Sequence, residues 1–262
     1  MVHMAEDDVD ARPAGARVAI GVIALLAVVG VVVFLLVRDG DDEVTTPGTT
    51  TTAPTSSAVP ASTTTEPPTS TAVTGGLTSE EAATVVWPAP DGAVRYADPV
   101  EAARGFAGFA GFAEPLVGEL KEGDQRSGEV DVRATEQGPV TTVLVRRMSD
   151  DHWWVLGAAT DDIVLDDPQP GGAIDDPLQL SGRARAFEGT VQVAVLERGG
   201  TEPLGTGVVT GSGGGELGPF EGEVRWSNPG GGWGVVLLFT ESMEDGRVWQ
   251  AAAVPVGFIG GD

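Results

Sequence analysis

Histidine is the side chain that most often moves protons near neutral pH, and this chain has two, His3 and His152. His152 closes the run Ser149-Asp150-Asp151-His152, so a hydroxyl, two carboxylates and an imidazole are sequence neighbours. Those residues read as a hairpin turn, whereas a Ser-His-Asp triad is a defined three-dimensional constellation. No triad is expected there, and no catalytic residue is assigned. One histidine beyond residue 3 cannot build a histidine-cluster zinc site. The chain has no cysteine, which removes thiol nucleophiles, cysteine-zinc sites, disulfides and lipid anchoring through cysteine.

Acidic pairs recur at Asp161-Asp162, Asp166-Asp167 and Asp175-Asp176. Asp166, Asp167, Asp175 and Asp176 supply the oxygen ligands calcium takes, but the D-x-D-x-D-G loop spacing is absent. They read as solvated surface acids, and no metal or cofactor is assigned. A glycosidase needs two carboxylates at a set separation across a cleft. The thirty acids from Leu77 onward make such a pair unavoidable by chance. No P-loop and no dinucleotide fingerprint follows a strand. The remaining candidates are aromatic. Trp226 and Trp233 stand about Ser-Asn-Pro-Gly-Gly-Gly, where indoles could stack on a sugar or plug a partner's pocket. The competing reading puts both in the core at strand ends.

These residues are carried by a chain of four kinds of segment. Residues 18–37, from Val18 to Val37, are an unbroken run of apolar residues and glycine. A helix of that length spans about 30 Å, the hydrocarbon thickness of a bilayer. A cleaved signal peptide would have a shorter apolar core and a small-residue cleavage site, so an uncleaved anchor in the lipid bilayer is expected. Arg12 and Arg17 precede it and Arg38 follows. The positive-inside rule then places residues 1–17 in the cytoplasm and the rest outside. Residues 38–76 form a Thr/Ser/Pro-rich linker without apolar periodicity, expected to be a disordered stalk.

Residues 77–167 read as an α+β domain, a helix on an antiparallel sheet. Asp98-Pro99-Val100-Glu101 is a helix start. Phe106 and Phe109 share a helical face with Phe112 to one side, the pattern of a helix packed on a sheet. Pro115 is expected to end or kink the helix. Alternating runs follow at 129–135, 140–147 and 153–159, with 163–165 as an edge strand. The order is similar to half of a cystatin-like or NTF2-like fold. Residues 174–258 show six or seven short strands between Gly-, Asn-, Asp- and Pro-rich turns and no helical period, which predicts an all-β sandwich.

The second region carries Asp176-Pro177-Leu178, Ser181-Gly182, Phe187-Glu188-Gly189-Thr190-Val191, Gly218-Pro219-Phe220, Asp245-Gly246 and Val254-Pro255-Val256 in that order. This series resembles Gmad2, the immunoglobulin-like domain of bacterial spore germination proteins. The resemblance covers about a third of the chain and implies an extracytoplasmic sandwich of binding function with no catalytic residues to transfer. Phe187 and Phe220 are expected as core anchors. The GerMN pattern that accompanies this module in germination lipoproteins does not align with residues 77–167, so a germination role is not carried over. Actinobacterial envelope proteins similarly pair such a domain with other partners.

The chain has 39 acidic and 15 basic residues, a net charge of −24, and its one lysine is Lys121. Nucleic-acid binding requires Lys and Arg against phosphates and is disfavoured. The abundance of Ala, Val, Gly, Asp and Arg is the composition of a high-GC bacterium. Together these features lead to a non-enzymatic, membrane-tethered binding or assembly module of the cell envelope. Its partner would be an envelope protein or polysaccharide. The alternatives are an envelope hydrolase working on wall glycans through surface carboxylates, and a single-pass regulatory protein acting through residues 1–17.

Overall fold

A computed structural model describes residues 73–74 and 76–260. The expected tail (1–17), membrane helix (18–37) and nearly all of the linker (38–76) lie outside the described residues. Among the described residues no helix is long and apolar enough to cross a membrane. The end of the linker region is not wholly irregular. Strand β1 (Val73–Thr74) pairs antiparallel with β2 (Leu77–Thr78). Helix α1 (Ser79–Thr84) follows at once. Thr78 Oγ1 accepts from Glu81 N at 3.1 Å, and Glu81 Oε2 accepts from Thr78 N at 3.1 Å. This is a capping box, and its T-x-x-E signature stands in the sequence just before Ala82-Ala83-Thr84-Val85-Val86.

Helix α2 (Pro99–Phe109) begins as expected, with Asp98 Oδ1 accepting from Val100 N and Glu101 N. Its end differs from the expectation. Gly111 takes φ +92°, Gly111 N donates to Gly108 O, and Phe112 N donates to Ala107 O. These two bonds form a Schellman motif, so the chain leaves the helix before Pro115 is reached. The turn folds Phe112 back into the core beside Phe106, while Phe109 stacks on Trp87 with centroids 4.9 Å apart. The Phe stripe is therefore a packing face.

Strands β3 (Leu116–Glu122), β4 (Ser127–Arg133), β5 (Thr141–Arg147) and β6 (Trp153–Ala159) form the meander. β3 was not expected. It is an edge strand with most side chains in solvent, so its sequence shows no clean alternation. The later strands are β7 (Ile163–Asp167), β8 (Ala173–Ile174), β9 (Leu178–Ala184), β10 (Thr190–Glu197), β11 (Pro203–Thr210), β12 (Gly218–Val224), β13 (Gly232–Glu241) and β14 (Val248–Phe258). The expected edge strand at 163–165 does not join the meander. It is β7, and it pairs with β9.

The sheets do not divide as the sequence suggests. A nine-stranded sheet runs β11-β10-β13-β14-β6-β5-β4-β3, with β8 beside β14 in parallel, and a smaller sheet runs β12-β9-β7. The meander and the sandwich therefore share one sheet, joined where Ala158 of β6 faces Ala253 of β14. A Cβ on Gly157 would lie 2.9 Å from the Ala253 carbonyl oxygen, so that closeness requires glycine. All the described residues lie within one compact unit, 67–262.

The shared strands are buried on both faces. On one face Ala194, Leu196, Val235, Leu237, Ala251 and Ala253 join the core under α2. On the other, Val193, Val195, Val236, Leu238, Ala252 and Val256 meet Leu178, Leu180, Phe220 and Val224 of the smaller sheet. This explains the continuous apolar runs Val235-Val236-Leu237-Leu238 and Ala251-Ala252-Ala253, since a strand covered on both sides has no polar alternation. Each such side chain removed from water contributes about 1.5–3 kcal/mol for a full-sized Val or Leu.

Candidate functional site

The turn between β5 and β6 holds Ser149, Asp150 and His152, and their geometry is structural. Ser149 Oγ donates to Glu81 Oε2 at 2.5 Å, not to histidine. Asp150 Oδ1 accepts from Trp154 Nε1 at 3.0 Å and from His152 N at 3.1 Å. His152 Nδ1 faces Asp150 Oδ2 at 3.4 Å. The carboxylate thus ties the turn to the fully buried Trp154. Burial penalises the Glu81 carboxylate, but bonds from the Ser149 hydroxyl and from the Thr78 and Ser149 amides outweigh it and hold its pKa below the usual range.

The acidic pairs are dispersed among local roles. Asp166 faces Arg183 at 3.7 Å, Asp176 Oδ1 accepts from Trp226 N at 3.0 Å, and Asp175 Oδ1 accepts from Asp176 N. Among the described residues, no three His, Asp or Glu side chains converge where a metal ion would sit.

The two tryptophans have different environments. Trp226 is 5% exposed, packs on Phe258 at 4.7 Å, and donates its indole N–H to Asp175 O at 2.9 Å. Trp233 is 36% exposed on β13, with the Arg198 guanidinium over its ring at 5.7 Å. Arg198 also donates to the Ala82 carbonyl near the end of α1. Burial pushes its pKa down to about 10, with Asp91 opposing the shift, so it is charged at neutral pH. It links the first helix to the β10–β11 turn.

The structure brings together a different set of residues. An open groove of about 510 Å³ lies between the 3₁₀ turn Phe187–Gly189 and the β13–β14 hairpin. Phe187 was expected in the core; it is 56% exposed. Glu188 at φ +53° and Gly189 at φ +74° form a left-handed turn after it. That turn carries the chain into β10 with Phe187 left outside. Phe220, the other expected anchor, is buried. Across the groove Met243 is 67% exposed, and Trp249, half-buried, also lines it.

The polar lining is tied together. Asp162 Oδ1 accepts from Arg185 Nε at 3.0 Å and also from its Nη2. Asp162 Oδ2 accepts from Gln250 Nε2 at 3.2 Å, and Thr160 Oγ1 donates to Gln250 Oε1 at 2.5 Å. The third guanidinium nitrogen of Arg185 donates to Gly215 O. Thr240, 5% exposed, has a hydroxyl without a partner among the described residues. Glu241 and Glu244 line the groove and are exposed. The Asp162–Arg185 pair is thus closed on itself, while the carboxylates of Glu241 and Glu244 stand at the rim. Sequence reasoning passed it by. Its one local signal is Met243 in the otherwise polar turn Glu241-Ser242-Met243-Glu244-Asp245-Gly246.

No curated protein and no solved structure matches the chain. A family match begins at Asp162, just before β7, and ends at Arg247, so it takes in the smaller sheet, β10, β11, β13 and most of the groove. Residues 162–247 match Gmad2, the immunoglobulin-like domain of bacterial spore germination.

Proposed function

We propose that the chain is a non-enzymatic binding or assembly module of a bacterial cell envelope. Residues 18–37 tether it to the membrane, residues 1–17 lie in the cytoplasm, and the β-rich unit stands outside. The groove between Phe187 and Met243 carries this reading. It offers exposed apolar side chains over a polar lining whose groups bond to one another. The immunoglobulin-like family match supports a binding role. The apolar run, its flanking arginines and the net charge of −24 support the tether and the exported placement.

The test is chemical crosslinking of the full chain in the living bacterium. Discrete adducts with an extracytoplasmic protein or polysaccharide are expected, with the chain in the membrane fraction after alkaline extraction. Release by alkali refutes the tether. An absence of adducts, or turnover of wall glycans by the purified chain, refutes the binding role.

A further inference from the structure

We propose that the Phe187–Met243 groove docks a basic segment of a different protein. A bulky apolar side chain of that segment sits between Phe187 and Met243, and flanking Lys or Arg residues meet Glu241 and Glu244. The proposal rests on the binding-module reading and names the chemistry of the partner.

Phe187 and Met243 are the two most exposed large apolar side chains among the described residues, and both line this groove. Aromatic residues and Met are enriched at protein interfaces, and the flexible Met thioether adapts to varied partners. The half-buried Trp249, also in the lining, supplies a third apolar surface. The charge around these anchors is acidic. Asp162 is neutralised by Arg185, while Glu241 and Glu244 have no basic residue among the groove's other lining groups.

That charge selects against two other occupants. A second copy of this chain would bring a net charge of −24 and one lysine to an acidic rim, a like-charge approach that costs affinity. A glycan needs free donors as well as acceptors for its hydroxyls, and this groove is short of donors. Here Asp162, Arg185, Gln250 and Thr160 already bond to one another. Apart from the buried Thr240 hydroxyl, the lining leaves unsatisfied apolar area and negative charge, the complement of an apolar residue among basic ones.

The experiment pans a phage-displayed library of random peptides on the full chain in detergent micelles. The enriched peptides are then measured on variants. Enrichment of a bulky apolar residue flanked by Lys or Arg is expected. Phe187→Ser and Met243→Ser should each weaken the consensus peptide by about tenfold or more, as central anchors do. The pair Glu241→Gln and Glu244→Gln should weaken it less and reduce its sensitivity to salt. These side chains are exposed, so thermal melts of the variants should match the parent. Enriched peptides that are acidic, or that bind the Phe187→Ser chain equally, overturn the proposal. So does self-association or binding of soluble wall-glycan fragments that is lost with Phe187→Ser. If cellular adducts survive both apolar substitutions, the groove assignment fails while the binding-module reading stands. If the unmodified chain gives no adducts, both fail.

Discussion

Leu237 and Leu238 are chain neighbours on β13, yet they fill different cores. Leu237 packs in the core under α2, and Leu238 packs between the two sheets. Both are buried. Leu→Ala at such a site removes the transfer free energy of the side chain and leaves a cavity, about 3–5 kcal/mol together. If the meander and the sandwich were separable domains, the two substitutions would act on separate transitions. Because β10, β13 and β14 belong to both cores, the loss of either should destabilise the whole unit. For a unit of this size each kcal/mol lowers the melting midpoint by about 2–4 °C. Leu237→Ala and Leu238→Ala should therefore each lower one common midpoint by roughly 6–20 °C. Urea unfolding followed by tryptophan fluorescence and by far-UV circular dichroism provides the check. The six tryptophans are spread over both regions, Trp87, Trp153 and Trp154 at the meander and Trp226, Trp233 and Trp249 at the sandwich, so one coincident transition is required. Two resolved transitions, each moved by only one of the substitutions, would refute the shared-sheet reasoning.

Two glycines of α2 should respond to alanine with opposite signs. A Cβ on Gly108 meets nothing within 4 Å, so Gly108→Ala should stabilise by about 0.5–1 kcal/mol through helix propensity, read as a higher melting midpoint. A Cβ on Gly105 would come 2.7 Å from Tyr96 Cζ and 2.9 Å from Trp87 Nε1. Gly105→Ala should therefore destabilise by about 1–3 kcal/mol in the same assay. Gly157→Val should cost a similar amount, about 1–3 kcal/mol by urea titration, because it forces β6 from β14. Glu81 has a depressed pKa in the fold, so its contribution is fully present above the ordinary value of 4.5 and is lost as pH falls through the lower folded value. The difference in melting midpoint between the parent and Glu81→Gln should be constant above pH 5.5 or so and shrink below about pH 4.5.

Much of the secondary structure was legible because it depends on neighbours in sequence. β6 occupies the predicted span, 153–159, since alternation and flanking turn residues act over a few positions. The start of α2 was equally local, carried by Asp98 and Pro99. The helix end was misplaced because Pro115 is the louder signal, while Gly111 terminates through two backbone bonds. Phe187 was misassigned for a related reason. An aromatic after an apolar strand predicts burial, and the left-handed turn at Glu188 and Gly189 reverses it.

What the sequence determined alone is local or compositional. It set the strand periods, the acidic charge, the lack of thiol chemistry, the apolar run at 18–37 and the resemblance of the second region. Only the tertiary structure decided that two apparent domains share one sheet. It also decided that β7 crosses to the smaller sheet, and that Phe187 and Met243 face each other over a groove. The physical reason is that strand pairing is made by backbone bonds between segments far apart in the chain, as Ala158 and Ala253 are. Two alanines carry no mark of their partner. The groove is a product of the same long-range order, because its walls are residues 162, 185–187, 213–214, 240–244 and 249–250, brought together by sheets and not by sequence.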